Sequence, residues 1–372
     1  MTFRFFTSST APREILVAVL PGWMARRARA RARLMGMANL LEMKNVTKIF
    51  GGSVIGHDDS TVAVDNVTLS ILDDHPTIIA IAGESGSGKT TLSLLMQGQI
   101  APTSGQVYYR GKNLVKMSAD EKMQLRREVQ PIFQDPYAAY NPFYRVDHVL
   151  QTPIKHFGLA KTNAEANQRI IEAMEMVGLR PAETLGRYPH QLSGGQRQRL
   201  MVARALLCHP QMIMADEPVS MVDASLRATI LASLSRLKQD FAISVVYITH
   251  DLTTAYQIAE NIIIMYSGSV VETGTVDQVI RNPKHPYTQL LVASIPLPDK
   301  SKNWGGREAE DSSQVARKAG GCKFANRCPL VMEQCWSSKP PLYITDENRA
   351  VGCFHYNNNP VMSSPDVSTV FR

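Results

Sequence analysis

Residues 83–90 read Gly83-Glu84-Ser85-Gly86-Ser87-Gly88-Lys89-Thr90, followed directly by Thr91. The stretch fills every defined position of the pattern G-x-x-x-x-G-K-[ST]. Glycines at this spacing let successive backbone N–H groups face inward and wrap an oligophosphate. A helix starting at the lysine adds the positive end of its dipole. Lys89 then offers a point charge to β- and γ-phosphates, and Thr90 a hydroxyl to Mg²⁺. The competing reading is a glycine turn with a chance lysine. The flanks argue against it: Thr77–Ala82 (TIIAIA) is a short apolar run of buried-strand type, and Thr90–Gln97 reads as a helix.

Upstream, Leu41–Ile49 alternates like a strand, Gly51–Ser60 is a polar hairpin region, and Thr61–Leu72 reads as its partner. Downstream, residues from about 134 to 205 are mostly helical in pattern. Gln211–Ala215, Ile243–Thr249 and Ile262–Tyr266 then read as strands, with Ala224–Asp240 and Leu252–Glu260 as helices between them. Alternation around a helical insert predicts an α/β fold with a parallel sheet, an antiparallel β-subdomain and a helical subdomain. The resulting division is a basic leader 1–38, a nucleotide-binding domain 39–298, a polar linker 299–321, a cysteine-rich module 322–358 and a tail 359–372. The chain after Tyr356 is expected to be disordered.

The 372 residues carry a formal charge of +7, but it is concentrated at one end. Residues 1–40 hold seven arginines and one acid, Glu14, so the remainder is nearly neutral and has no electrostatic footprint for DNA or RNA. In the leader, Ile15–Leu20 is apolar and the arginines follow it, whereas a secretory signal places its charge first. Two readings stand: a disordered extension with a later start at Met35, Met37 or Met43, or a basic helix touching anionic lipid. No stretch approaches the roughly 18 uninterrupted apolar residues of a membrane span, so a membrane role would be docking onto other subunits.

A second chemical element follows the helical insert. Met212-Ile213-Met214-Ala215-Asp216-Glu217 is an apolar strand ending in two acids. Such a strand places Asp216 beside the phosphate loop to hold Mg²⁺, and Glu217 where it can activate a water. Two solvated acids at a strand end are the plain alternative.

Leu192-Ser193-Gly194-Gly195-Gln196 matches the signature of the ATP-binding-cassette (ABC) family, and over roughly residues 40–298 the chain resembles that family. The other motifs come in the family's order. Gln134 lies in Phe133-Gln134-Asp135-Pro136, Asp223 ends Ser220-Met221-Val222-Asp223, and His250 lies in Thr249-His250-Asp251. Phe50 sits where the family stacks an aromatic on adenine. Met221-Val222 departs from the usual Ala-Leu, an apolar exchange of little expected effect. The resemblance implies ATP and Mg²⁺ as ligands, with Gln134 and His250 sensing the γ-phosphate. It also implies two cassettes meeting head to tail, each signature capping the partner's ATP. Soluble relatives acting in translation or repair are a rival class, but they carry two cassettes or long coiled coils, and neither pattern occurs here.

Two tracts resemble the oligopeptide and dipeptide (peptide and nickel) import group of the family. One is Asn282-Pro283-Lys284-His285-Pro286-Tyr287-Thr288-Gln289-Leu290-Leu291; the other holds Cys322, Cys328, Cys335 and Cys353. The resemblance implies a different second cassette, two permeases and an external binding protein, with this chain peripheral on the cytoplasmic face of the inner membrane. Nickel or oligosaccharide uptake remain alternatives, and an exporter would lack these tracts. Tyr137, Tyr140 and Phe143 offer either an apolar socket for a permease helix or a structural turn. The cysteine spacing, C-x5-C-x6-C-x17-C, lacks the close pairs of zinc knuckles. Four thiolates on irregular loops suit a [4Fe–4S] cluster, which the resemblance supports; zinc, free thiols and disulfides are the other readings. Cys208, on the helix after the signature, reads as a core residue.

Overall fold

A computed structural model of the protein describes residues 39–51, 60–135, 140–220, 222, 224–295 and 320–371. The basic leader, nearly all of the linker, Pro136–Ala139, Met221 and Asp223 lie outside the described residues, and with them Tyr137 and the leader's two readings.

The strands are β1 (Asn39–Phe50), β2 (Thr61–Leu72), β3 (Ile78–Ala82), β4 (Ser104–Tyr109), β5 (Lys112–Asn113), β6 (Val129–Ile132), β7 (Met212–Asp216), β8 (Ser244–Thr249), β9 (Asn261–Tyr266), β10 (Ser269–Thr275), β11 (Tyr343–Asp346) and β12 (Arg349–Val351). They form a four-stranded antiparallel sheet, β2-β1-β4-β5, and an eight-stranded sheet, β11-β12-β10-β9-β3-β8-β7-β6. In the larger sheet the run from β9 to β6 is parallel, and β10, β12 and β11 are antiparallel.

The period of two along each parallel strand divides the core. Ile78, Ala80 and Ala82 pack into one cluster, with the helical subdomain, while Ile79 and Ile81 pack into the other, beneath the antiparallel sheet. Ile213 and Ala215 on β7 and Val245 and Tyr247 on β8 likewise face one way, and Met212, Met214, Val246 and Ile248 the other. A strand covered on both faces must be apolar at every position, which explains the unbroken runs read in the sequence. β6 is the sheet edge and tolerates Pro131, whose missing N–H matters least there.

Helix α1 (Lys89–Met96) follows the phosphate-loop sequence and α2 (Ala119–Glu128) precedes β6. The insert contains α3 (Asp147–His156), α4 (Asn163–Met176) and α5 (Gly194–Leu207). Thr162 caps α4 by accepting from the Glu165 N–H, and Ser193 and Gln196 close a reciprocal capping box on α5. α6 (Ala224–Phe241) and α7 (Leu252–Ile258) connect the later parallel strands.

The C-terminal region departs from expectation. The cysteine-rich segment continues the central sheet, because β11 and β12 extend it beyond β10. Arg349, almost wholly buried, fixes this junction through the carbonyls of Gln278 (3.0 Å) and Asn282 (2.6 Å), the Asp346 carboxylate and the buried Glu272. The expected disorder after Tyr356 is overturned. Asp366 accepts from the Ser70 N–H at 3.1 Å, and Val367 and Val370 are buried in the final turn, Val367–Phe371, against the antiparallel sheet. Two valines in a polar stretch suffice when a carboxylate pins the backbone beside them. Cys208 is fully buried, and burial pushes its thiol up to about 11.

Candidate functional site

Four neighbouring parallel strands, β3, β8, β7 and β6, release their chains at one edge of the sheet. The phosphate loop leaves β3, His250 follows β8, Asp216 ends β7 and Gln134 follows β6. Ligand sites of open α/β sheets form at the carboxyl ends of strands, and the sheet order brings these separated motifs together.

The loop is packed so tightly that two of its glycines have no substitute. A Cβ on Gly83 would lie 2.2 Å from the Met265 carbonyl oxygen, and one on Gly88, at φ +99°, would lie 2.1 Å from that of Ala63. Gly86 also has positive φ but faces open space. Lys89 is buried and folds back over the loop, donating to the carbonyls of Gly83 (2.8 Å) and Glu84 (2.7 Å) and to Ser87 Oγ (3.3 Å). Burial pushes its pKa down, against the opposing pull of Glu217, Asp216 and Glu84. An incoming phosphate would exchange these neutral acceptors for anionic oxygens.

Thr90 opens α1 and its hydroxyl donates to Asp216, whose carboxyl burial raises; Glu217 raises it further and Lys89 offsets that. The hydroxyl and carboxylate together can hold Mg²⁺, with phosphate and water completing the shell. Glu217 has φ 44°, and its N–H donates to the Ile248 carbonyl on β8 at 2.9 Å. That bond offsets the left-handed strain and aims the carboxylate. Glu217 Oε2 accepts from Gln134 Nε2 at 2.9 Å, and Oε1 lies 2.8 Å from His250 Nδ1.

The remaining sequence-derived residues divide. Phe50 ends β1, 44% exposed, with the Lys48 ammonium 5.1 Å over its ring. Its antiparallel partner is Thr61, and Ala63, two residues further along that strand, abuts Gly88 through its carbonyl. Ser85 and Thr91 lie in the same loop and helix. In Leu192-Ser193-Gly194-Gly195-Gln196, Leu192 is buried, Ser193 and Gln196 engage each other, and Gly195 packs on Leu226. Asp223 lies outside the described residues. The aromatic socket changes character, since Tyr140 is buried and its hydroxyl donates to the Arg197 carbonyl at 3.1 Å, while Phe143 is 86% exposed.

Cys322, Cys328, Cys335 and Cys353 are free thiols. Burial raises Cys353 to about 11, and Cys328, Cys322 and Cys335 lie close enough to raise it further. Among the described residues, however, no three His, Cys, Asp or Glu side chains are gathered so as to hold a metal ion. Neither the expected [4Fe–4S] cluster nor the zinc alternative is therefore matched by a gathered ligand set among the described residues. Two residues missed in the sequence touch the loop: Tyr287 Oη accepts from the Glu84 N–H at 2.8 Å, and Arg327 pairs with the Glu84 carboxylate. Tyr287 belongs to the tract resembling peptide importers; Arg327 had no signal beyond lying between two cysteines.

A phosphate loop, a paired-acid strand end, a glutamine and a histidine on four adjacent strands, with a signature sequence opening α5, define an ABC-type ATPase cassette. The family described as ABC transporter matches residues 64–220, and the family described as oligopeptide/dipeptide transporter, C-terminal region, matches residues 271–335. The chain belongs to the ABC transporter ATP-binding proteins, within the oligopeptide/dipeptide group. It is 37% identical over 284 residues to the oligopeptide transport ATP-binding protein OppF of Salmonella typhimurium, covering 75% of this chain and 84% of that one. It is 37% identical over 329 residues to the putative oligopeptide transport ATP-binding protein YkfD of Bacillus subtilis, covering 86% and 96%. Among solved structures, the ATP-binding cassette MJ0796, a dimer in a post-hydrolysis state bound to ADP and Pi, is similar at TM-score 0.56 and 30% identity, over 63% of this chain and 98% of that one. The chain is thus an ATPase subunit, and among the described residues no helix is long and apolar enough to cross a membrane.

Proposed function

We propose that this ATPase energises the import of di- or oligopeptides from the cytoplasmic face of the cell membrane. The observation that carries the reading is the joining of the phosphate loop and the Glu217–Gln134–His250 contacts to the 271–335 region that matches oligopeptide/dipeptide transporters. Lys89 and the loop amides bind the triphosphate, Thr90 and Asp216 hold Mg²⁺, Glu217 prepares the attacking water, and Gln134 and His250 hold Glu217 until the γ-phosphate engages them. The signature Leu192–Gln196 serves the ATP of a second, different cassette, with Ser193 capping the α5 N-terminus whose N–H groups can receive a phosphate. Two permeases dock near Phe133 and Phe143, whose rings are exposed. An external binding protein delivers the solute. Uptake of labelled dipeptides and tetrapeptides by cells lacking this chain tests the reading. Loss of uptake restored by the natural chain, but not by Glu217→Gln, supports it. Unimpaired peptide uptake with loss of nickel or oligosaccharide uptake refutes the peptide assignment.

The four C-terminal cysteines are proposed to hold a [4Fe–4S] cluster. Support comes from four free thiols that lie near enough to one another to act electrostatically on each other, and from the resemblance of this tract to the peptide-import group. When bound, the cluster would act as a staple between β12 and the loops carrying Cys322 to Cys335. Anaerobically purified protein should be brown and contain iron and sulfide in equal amounts. Colourless protein without either refutes the proposal.

A further inference from the structure

Glu84 is the second residue of the phosphate loop, and its carboxylate lies close enough to Lys89 to act on it electrostatically. Three contacts hold this residue. Arg327, in the turn Ala325–Arg327, grips the carboxylate with both guanidinium ends: Nη1 to Oε2 at 2.8 Å and Nη2 to Oε1 at 3.0 Å. Tyr287 Oη accepts from the Glu84 N–H, and Lys89 donates to the Glu84 carbonyl. Arg327 is itself steadied, its guanidinium 5.8 Å over the ring of Tyr266 and 5.7 Å over that of Phe324. Tyr287 and Phe324 are fully buried and pack on each other, with ring centroids 5.5 Å apart. Both partners of Glu84 therefore come from one aromatic block built by the C-terminal region.

A partly exposed ion pair contributes little to folding, so stability alone does not account for a fork-on-fork pair beside an anion site. From this geometry we propose that Arg327 and Tyr287 are positioning residues for ATP. Arg327 masks the Glu84 charge that would otherwise repel the triphosphate, and Tyr287 fixes the orientation of the 83–84 peptide while Lys89 moves from the loop carbonyls to phosphate. The inference rests on residues 83–90 being the phosphate cradle. It makes the C-terminal region part of the nucleotide site.

The test is titration of the full chain with the fluorescent analogue mant-ATP and Mg²⁺, with melting curves for each variant. Lys89→Ala tests the cradle separately and should abolish binding. Arg327→Ala should weaken binding about tenfold by unmasking one charge beside the phosphates, and Glu84→Gln added to it should recover most of the loss. Glu84→Gln alone should bind at least as tightly as the natural chain, the opposite sign from a merely structural ion pair. Lys339→Ala, which breaks a different ion pair of this region with Asp65, should leave binding unchanged. The proposal is overturned if Arg327→Ala binds normally, if the double variant stays as weak as the single one, or if Glu84→Gln alone binds more weakly. It is also overturned if Lys339→Ala weakens binding as much as Arg327→Ala. Should Arg327→Ala fail to fold, Glu84→Gln alone decides by its sign.

Discussion

Glu217 and His250 face each other at 2.8 Å although 33 residues separate them. β7 and β8 are adjacent parallel strands, so residues just past their ends meet. Gln134 occupies the other carboxylate oxygen of Glu217. Replacing Glu217 by Gln keeps the size and the hydrogen bonds but removes the base. ATP hydrolysis should fall by about 10²–10⁴-fold, with nucleotide binding retained. Phosphate release assays paired with mant-ATP titration separate the two effects.

Gly83→Ala should abolish nucleotide binding outright. The added methyl would overlap the Met265 carbonyl oxygen at 2.2 Å and Ser87 Oγ at 2.8 Å, so the loop must leave its place on β9. Gly86→Ala has open space around it and carries only the strain of its φ of +78°, a cost of about 1–2 kcal/mol. The ordering of the two variants in mant-ATP affinity and in melting temperature checks the packing argument.

His285 is buried, and burial lowers its pKa from 6.5 to about 3. Its Nδ1 accepts from the Tyr287 N–H at 3.0 Å, which requires that nitrogen to be unprotonated. The unfolded chain takes up a proton near pH 6.5 and the folded chain does not. This group's stabilisation is therefore complete above pH 6.5 and is lost as the pH falls towards 3, at about 1.4 kcal/mol per pH unit. In His285→Asn the amide oxygen can take the same hydrogen bond without titrating. Urea unfolding between pH 7.5 and 4 should show a shallower acid decline for the variant than for the natural chain.

Deleting residues 364–372 should cost about 2–4 kcal/mol of stability through exposure of Val367 and Val370 and their partners. The Ser70 N–H also loses its acceptor, Asp366. Chemical denaturation measures the loss. An unchanged midpoint would mean that the last turn contributes nothing to the antiparallel sheet.

The parallel strands β3, β7, β8 and β9 were legible because burial on both faces leaves apolar runs, as in Ile78–Ala82 and Ile262–Tyr266; the parallel edge strand β6, VQPI, was not, because Gln130 and Pro131 break the pattern. The site motifs were legible one by one, because loop, acids, glutamine and histidine each have a fixed local form. The approach of Asp216 to the loop followed from its strand end, but the direct contacts of Glu217 with Gln134 and His250 did not, because they depend on the order β3-β8-β7-β6, which no local pattern encodes. β10 was missed for a different reason: its sequence, SVVETGT, reads as polar, yet Glu272 and Thr273 are fully buried. Glu272 lies inside because the N–H groups of Lys284 and His285 donate to it at 3.1 and 2.9 Å. Partners brought from elsewhere in the chain make a buried carboxylate tolerable, and a reading along one strand cannot see them. The final turn hid in the same way, since its apolar residues are few and its anchor is Ser70, some 296 positions away from Asp366.

The extension of the central sheet by β12 and β11 has a practical consequence. A fragment cut after α7 and β10, as a minimal cassette would be, presents the unpaired backbone of Glu272, Thr273 and Gly274 along a raw margin. Such margins recruit other strands, so the shortened protein should come out of cells as insoluble material, however sound its catalytic half.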